Sequence, residues 1–490
     1  MDAVNITLNY TAILAFILVA VDFTIRVLSI IYVPRNRRPQ TAMAWLLAIF
    51  FIPYVGVLLF LLLGSRKLPK GRRDKQLEIN KFILDTTEGM DLVSRDQPWP
   101  PWLQPVVELN RTLGAMPLVG GNSAKLYSEY QESLDAMTEA VGEATSYVHV
   151  EFYILSLDPT TKKFFDALEA AVKRGVRVRV LLDHIASLRS PGYLTTIRHL
   201  KRIGVDWQLM LPVQPFKWKF QRPDLRNHRK LLIIDGQVGF TGSQNMVDST
   251  YNKRVNKKRG LKWKDLMVRF EGPIVAGINS LFITDWYSET DELLVRESVQ
   301  KLARTSASLD AQVVPSGPGF EGENNLRLFN SLLYGAQHRV IITSPYFVPD
   351  DSMLYAITTA AQSGLDVQLF VSEVGDQALV YHAQRSYYET LLRAGVKIWL
   401  FPSPTVLHAK HFTIDDQVAV IGSSNMDMRS FSLNLEISVM VRGAEFIADM
   451  RELEAQYRSV SRELTLEEWM TRPRRSKVLD NIARLTAAVQ

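Results

Sequence analysis

The strongest constraint on how this chain folds is a string that occurs twice. His228-Arg-Lys230, four residues, Asp235, six residues and Gly242-Ser243-Gln-Asn245 return as His408-Ala-Lys410, Asp415 and Gly422-Ser423-Ser-Asn425. The His, Lys, Asp, Gly, Ser and Asn keep identical spacing in both copies, so each copy reads as half of one shared site. Residues i and i+2 of a β-strand point to one face. His228 therefore projects with Lys230, and His408 with Lys410, while the flanking apolar residues bury. Residues 231–234 and 412–414 run into Asp235-Gly236 and Asp415-Asp416, which read as tight turns. A returning strand, 238–241 or 418–421, then delivers Gly-Ser-x-Asn beside the His and Lys, with glycine permitting close backbone approach. Imidazole, ammonium, hydroxyl and amide converge in this arrangement. Such donors suit an anionic phosphate, because a preorganised cluster stabilises charge that redistributes during reaction. Asp235 and Asp415 fall at the turns, and geometry alone gives them a structural or salt-bridging role rather than contact with substrate. A lone His-x-Lys on a strand is ordinarily an exposed face; the duplication is what argues for a site. His149, His184, His199, His338, His382 and His411 lack this context and read as structural or surface residues.

Around the motifs the hydrophobic pattern alternates between helical and strand periods, an α/β rhythm. It predicts a helix over 130–144, a strand over 147–154, a helix over 162–174 and a strand over 176–183. The same order returns as a helix over 326–337, a strand over 340–347, a helix over 352–364 and a strand over 366–371. Arg174-Gly-Val-Arg-Val is echoed by Ser363-Gly-Leu-Asp-Val. The fold itself is thus duplicated, and two halves packed about a pseudo-twofold axis would bring the motifs face to face.

These motifs resemble the signature of the phospholipase D superfamily, two His-x-Lys-x4-Asp strings. The wider chain resembles the bacterial cardiolipin synthases within it. That narrower likeness rests on Ala42-Met-Ala-Trp45-Leu, Ser316-Gly-Pro-Gly319, Ser344-Pro-Tyr-Phe-Val-Pro349, Asn425-Met-Asp-Met-Arg429-Ser and Leu433-Asn434-Leu-Glu436. The resemblance implies two phospholipase D-like α/β domains, mixed sheets flanked by helices, preceded by a transmembrane helical hairpin. The boundaries read as a hairpin over 1–66, a juxtamembrane linker over 67–121, a first domain over 122–300, a linker over 301–322 and a second domain with a C-terminal tail over 323–490. The implied reaction condenses two phosphatidylglycerol molecules to cardiolipin and glycerol through a covalent phosphohistidine, with one histidine as nucleophile and the other as general acid and base. Family habit makes His228 the nucleophile and His408 the acid/base, although pseudo-symmetry leaves the assignment reversible. Asp235 and Asp415 join the catalytic set on the same resemblance. Lys230, Lys410, Asn245 and Asn425, with Ser243 and Ser423, would hold the phosphate. A histidine nucleophile needs its other ring nitrogen hydrogen-bonded. Asp265 and Glu436, each shortly downstream of its own motif, are the expected orienting acids. A hydrolytic phospholipase D, transfer to another alcohol such as serine, and a phosphodiester nuclease are the competing readings.

Two apolar stretches precede the repeats. Residues 12–33 are long enough to cross a bilayer at roughly 20 residues per span, and Asp22 and Arg26, four apart on one helical face, are expected to pair. Residues 44–63 carry no charge, with Pro53 and Gly56 tolerated as helix irregularities. The expectation is a multi-pass protein of the bacterial inner membrane with both termini and the catalytic region cytoplasmic, because Arg66, Lys67, Lys70, Arg72 and Arg73 outnumber Arg35, Arg37 and Arg38 between the spans. A re-entrant hairpin that never crosses is the alternative. A net charge of +6 and basic aromatic stretches at 216–222 and 253–264 fit an anionic membrane surface, and phosphatidylglycerol and cardiolipin are both anionic. Nucleic acid is not expected as a partner, and oligomeric state stays open. The chain has no cysteine, which excludes disulfides and thiolate chemistry. No His and carboxylate spacing resembles a zinc site, so neither metal nor cofactor is expected.

Overall fold

In the computed structural model, the duplicated pattern becomes one continuous sheet. The described residues are 2–35, 37–64, 68–87, 93, 98–214, 216, 219–294, 305–320 and 322–486. The chain forms two compact units, 1–67 and 68–490.

The second unit contains the sheet. Its first half comprises β1 (Leu118–Tyr127), β2 (Tyr147–Phe152), β3 (Arg177–Asp183), β4 (Asp206–Met210), β5 (Lys230–Ile234), β6 (Val238–Gly242) and β7 (Met267–Glu271). The second half comprises β8 (Leu309–Ser316), β9 (Arg339–Thr343), β10 (Asp366–Ser372), β11 (Lys397–Phe401), β12 (His411–Ile414), β13 (Val418–Gly422) and β14 (Asn434–Arg442), with β15 (Arg462–Leu464) at its edge. The strand order is β15-β11-β10-β9-β12-β13-β14-β8-β1-β7-β6-β5-β2-β3-β4. Read outward from the central β1–β8 pair, the two halves are the same list apart from the added edge strand β15. Within each half the helix-linked strands are parallel (β2–β3–β4 and β9–β10–β11), and the motif hairpins are antiparallel (β5–β6 and β12–β13). Helices Tyr130–Glu143 and Lys162–Lys173 in one half correspond to Asn324–Gly335 and Asp351–Gln362 in the other, close to the predicted bounds. Each buries an apolar stripe, for example Phe164, Phe165 and Leu168.

Two stretches read as linkers carry structure instead. Residues 67–121 hold helices Lys70–Thr86 and Leu103–Gly114 and the start of β1, and residues 301–322 hold β8. Helix Lys70–Thr86 is fixed by Arg72, which forms a bidentate pair with Glu289 at 2.8 and 2.7 Å. β1 escapes a sequence reading because Gly120-Gly121 interrupts its apolar alternation. Gln97 of the proline-rich stretch and Lys217 and Trp218 of the first basic stretch lie outside the described residues.

The first unit begins with one long helix, Asp2–Tyr32, in which Arg26 pairs with Asp22 at 2.7 Å as expected. The second apolar stretch is not one continuous helix. It is two short helices, Pro39–Phe51 and Pro53–Leu63. Pro53 lacks an N–H and disfavours a helical conformation at Ile52, whose φ and ψ are −137° and 73°. The chain then folds back: a Cβ on Gly56 would lie 2.7 Å from the Ile49 Cα, so only glycine fits the crossing. Arg37 closes the fold by donating to the Gly64 carbonyl at 3.1 Å and the Val33 carbonyl at 2.7 Å. In a continuous helix rising about 1.5 Å per residue, Arg37 and Gly64 would stand about 40 Å apart.

Asp235 and Asp415 do structural work and touch neither lysine. Both adopt a left-handed conformation (φ 51° and 50°) in the motif hairpin turns. Asp235 accepts from the backbone N–H of Thr145, Ser146 and Tyr147 at 2.7–2.8 Å, and Asp415 from those of Gln337, His338 and Arg339 at 2.8–3.1 Å. Each ties its hairpin to the entrance of the neighbouring strand, β2 or β9. Asp235→Ala or Asp415→Ala is expected to cost about 1–3 kcal/mol of stability, the value of buried hydrogen bonds left unmade. The check is a lowered Tm with kcat per folded molecule kept within a few-fold.

Candidate active site

Each motif is stitched to the opposite half of the sheet. Arg226–Asn227, just before His228, pairs in parallel with the start of β14, and the His228 N–H donates to the Leu435 carbonyl at 2.9 Å. The mirror contact pairs Thr405–Leu407, just before His408, with Lys262–Lys264, and the His408 N–H donates to the Lys264 carbonyl at 2.7 Å. The orienting acids are therefore exchanged. His228 Nδ1 donates to both carboxylate oxygens of Glu436 at 3.0 Å, and His408 Nδ1 donates to Asp265 Oδ1 at 2.6 Å. Asp265 and Glu436 each bond to a motif histidine, and each meets the motif of the other half.

The glycines of the repeat make this geometry possible. A Cβ on Gly242 would fall 2.2 Å from the Leu266 carbonyl oxygen, and one on Gly422 would fall 2.1 Å from that of Ile437. The motif hairpins thus press directly on the strands that carry the acids. Ser243 Oγ donates to Asp265 at 2.7 Å and accepts from the Leu266 N–H at 2.9 Å. Ser423 Oγ donates to Glu436 and accepts from the Ile437 N–H at 3.0 Å. Their single protons are committed to the carboxylates, so the two serines brace the acids rather than donate to a phosphate.

Lys230 and Lys410 are buried, and each donates to the carbonyl of its own histidine, at 2.6 and 2.8 Å. The asparagines differ. Asn245 accepts from the Ile154 N–H at 3.2 Å and donates to Tyr251 at 2.8 Å, whereas the Asn425 side-chain oxygen is buried without a partner. Sequence reasoning missed two aromatic walls. The Tyr153 ring meets His228 edge-on at 4.8 Å between centroids, and Tyr346 meets His408 at 6.4 Å. A signal was present: both follow the second strand of their half, β2 or β9. The remaining histidines behave as read; His149, for instance, is buried against Phe282 and bonded to Asn279.

The electrostatics follow from burying two cations and two anions together. Burial is the main cause that lowers both histidines to about 4; Lys230 and Lys410 lower them further, against the pull of Glu436 and Asp265. Burial likewise lowers Lys230 to about 7 and Lys410 to about 8, against the same carboxylates. Burial alone would raise the two acids, but the neighbouring imidazole and ammonium groups hold both below their ordinary values. The resting site thus pairs two carboxylates with two ammonium groups around neutral imidazoles. Each imidazole carries its proton on Nδ1, which leaves Nε2 with a free lone pair. Among the described residues, no group of three or more His, Asp or Glu side chains is placed to hold a metal ion.

The family model described as "Cardiolipin synthase, PLD-like domain" matches residues 137–272 and 330–456, one segment around each motif. The chain belongs to the cardiolipin synthase family. A second model, "Phospholipase D-nuclease N-terminal", matches residues 24–65. Cardiolipin synthase A of Proteus mirabilis is 32% identical over 455 residues, covering 91% of this chain and 92% of that protein. The proteins of the same name from Pectobacterium carotovorum and Klebsiella pneumoniae are each 31% identical, with 97% of both chains covered. Among solved structures, phosphatidylserine synthase of Haemophilus influenzae superposes with a TM-score of 0.61 at 13% identity, over 79% of this chain and all of that one, a likeness of fold.

The exchanged dyads make a distinctive prediction. Glu436→Gln removes the charge that holds His228 and supports the Lys230 cation. It is expected to lower kcat by about 10²–10⁴-fold, in the range seen when a histidine loses its orienting acid. The alkaline limb of kcat/KM, expected near pH 7–8 from the lysines of the free enzyme, should also move to lower pH, because an unsupported ammonium loses its proton sooner. An unmoved limb would mean that Glu436 is not coupled to Lys230.

Proposed function

We propose that this protein is a phosphatidyl transferase that condenses two phosphatidylglycerol molecules into cardiolipin and glycerol. The observation that carries the reading is the pair of exchanged His–carboxylate dyads, with a buried lysine beside each, in a chain whose relatives along nearly its full length are named cardiolipin synthase A. In the first step His228 Nε2 attacks the phosphodiester phosphorus. A P–N bond forms, the P–O bond to the terminal glycerol breaks, and His408 Nε2–H protonates the departing oxygen. In the second step His408 takes the proton from a glycerol hydroxyl of another phosphatidylglycerol, whose oxygen attacks phosphorus and releases His228. Lys230, Lys410 and Asn425 balance charge on the nonbridging oxygens. The incoming anion also supports the acid: one negative charge beside two otherwise neutral imidazoles favours a proton on one of them. Only 8% of His228 and 5% of His408 is exposed, which keeps bulk water from competing with the second lipid. Near the site, helix Arg254–Arg259 presents Arg254, Lys257, Lys258 and Arg259 to solvent, a basic rim suited to anionic headgroups.

The test is to incubate purified protein with labelled phosphatidylglycerol alone. Cardiolipin with equimolar glycerol is expected, and His228→Ala and His408→Ala should each reduce turnover by at least about 10³-fold while the protein stays folded. Phosphatidic acid as sole product would make the enzyme a hydrolase.

We further infer that helix Asp2–Tyr32 crosses the inner membrane once, while the 39–63 pair enters and returns. The closure of Arg37 on Gly64 brings the two ends of the 39–63 pair together, and in sequence Arg35, Arg37 and Arg38 precede that pair and a basic run that begins at Arg66 follows it. Both clusters are then cytoplasmic, which satisfies the positive-inside tendency that two full crossings would split. The catalytic unit is cytoplasmic and the N-terminus lies across the membrane. Because the chain has no cysteine, single cysteines at Asn5 and Lys173 should label from opposite faces of intact and opened cells. Labelling from one face would overturn the single crossing.

A further inference from the structure

The C-terminal helix Arg474–Arg484 is built inside out. Its one acidic residue, Asp480, is fully buried and its large apolar residues face solvent. Asp480 lies 2.8 Å from His382 Nδ1 and 3.5 Å from Arg385 and Arg472, while Arg385 also donates to Ser476 at 3.2 Å. Arg472 stacks on Trp469 at 3.6 Å and Arg484 on Tyr387 at 4.8 Å. This polar clasp, with buried Ala483, fixes the helix against helix Ala378–Arg385. The opposite face carries Val478, Leu479 and Ile482, with Leu485 just beyond, exposed by 51–84%. Leu379, on the helix that holds the clasp, is also half exposed.

An ordinary amphipathic helix buries its apolar stripe against the fold. Here ion pairs and hydrogen bonds attach the helix and leave the stripe free. We infer that this face docks on the surface of an anionic lipid bilayer, independently of the N-terminal unit. Charge complementarity selects that occupant. Arg474 and Arg475 are exposed at the start of the helix, so cations flank the apolar stripe, the arrangement of a helix that lies in the headgroup plane. The inference does not depend on which alcohol accepts the phosphatidyl group, and its test does not read activity. The clasp also leads toward the site: helix Ala378–Arg385 and the residue before it supply Gln384, which accepts from the Phe347 N–H, and Gln377, which donates to Tyr346 beside His408.

The experiment uses full-length protein with a single cysteine at Leu479 or Ile482, labelled with an environment-sensitive fluorophore and reconstituted in vesicles containing phosphatidylglycerol. A quencher attached to the lipid chains is expected to quench both labels at least three-fold more than a label at exposed Lys173. Arg474→Glu with Arg475→Glu, or vesicles of neutral lipid alone, should reduce that difference. Quenching no stronger than at Lys173 would overturn the inference. A label shielded from water yet beyond reach of the lipid quencher would overturn it too, in favour of a protein partner or a second copy. Equal quenching in neutral vesicles would remove the role given to the basic residues.

Discussion

Two hydrogen bonds, His228 to Glu436 and His408 to Asp265, hold this molecule's chemistry together, and both run between halves. Neither half contains a complete dyad. A histidine without its acid has no fixed tautomer, and a buried carboxylate without its imidazole is an uncompensated charge costing several kcal/mol. The halves are therefore bound together by the electrostatics of the site as well as by apolar burial. The central β1–β8 pair, the short parallel pairings beside each motif and the glycines at 242 and 422 all serve to bring each hairpin within contact of the acid strand from the other half.

The same exchange solves a charge problem. Four ionisable groups are buried around two imidazoles, and the group is tolerable because its charges offset one another and three of the four carboxylate oxygens have a donor, Asp265 Oδ2 being the exception. The lysines are held where a modest change of field alters their proton affinity. An arriving phosphodiester anion strengthens both cations and favours protonation of one histidine. Under the proposed mechanism, the substrate's own charge favours the protonated imidazole that acts as general acid, against the burial that lowers both histidines.

Much of this was legible in the sequence, for definite reasons. The duplicated string located both histidines and both lysines, because those residue types recur at strand spacing; Asp265 and Glu436 lie outside it and were expected from the resemblance. The α/β periodicity located helices Lys162–Lys173 and Asp351–Gln362 because their apolar stripes repeat at helical period. What stayed hidden is three-dimensional. Sequence proximity paired Asp265 with the first motif and Glu436 with the second, whereas each strand delivers its acid across the pseudo-twofold. Ser243 and Ser423 looked like phosphate donors because their hydroxyls sit beside the motif; only their contact with the acids shows where the protons go. The break before Pro53 was visible as a residue, but whether a membrane helix kinks or reverses depends on whether the flanking segments can pack, and Gly56 against Ile49 decides that.

The duplication is also imperfect where it matters. Arg229, inside the first motif, is fully buried, pairs with Asp285 and donates to the Glu436 carbonyl at 3.2 Å, whereas its counterpart is Ala409. Tyr153 packs on His228 more closely than Tyr346 packs on His408. Asn245 is held by Ile154 and Tyr251, while the Asn425 oxygen has no partner. The first motif is thus the more rigidly supported, and the second keeps an uncommitted polar group. A nucleophile gains most from a fixed approach to phosphorus, and a proton shuttle that must serve first a departing and then an arriving glycerol gains from room to adjust. Under the proposed mechanism, these differences suit His228 to the attacking role and His408 to the proton-transfer role.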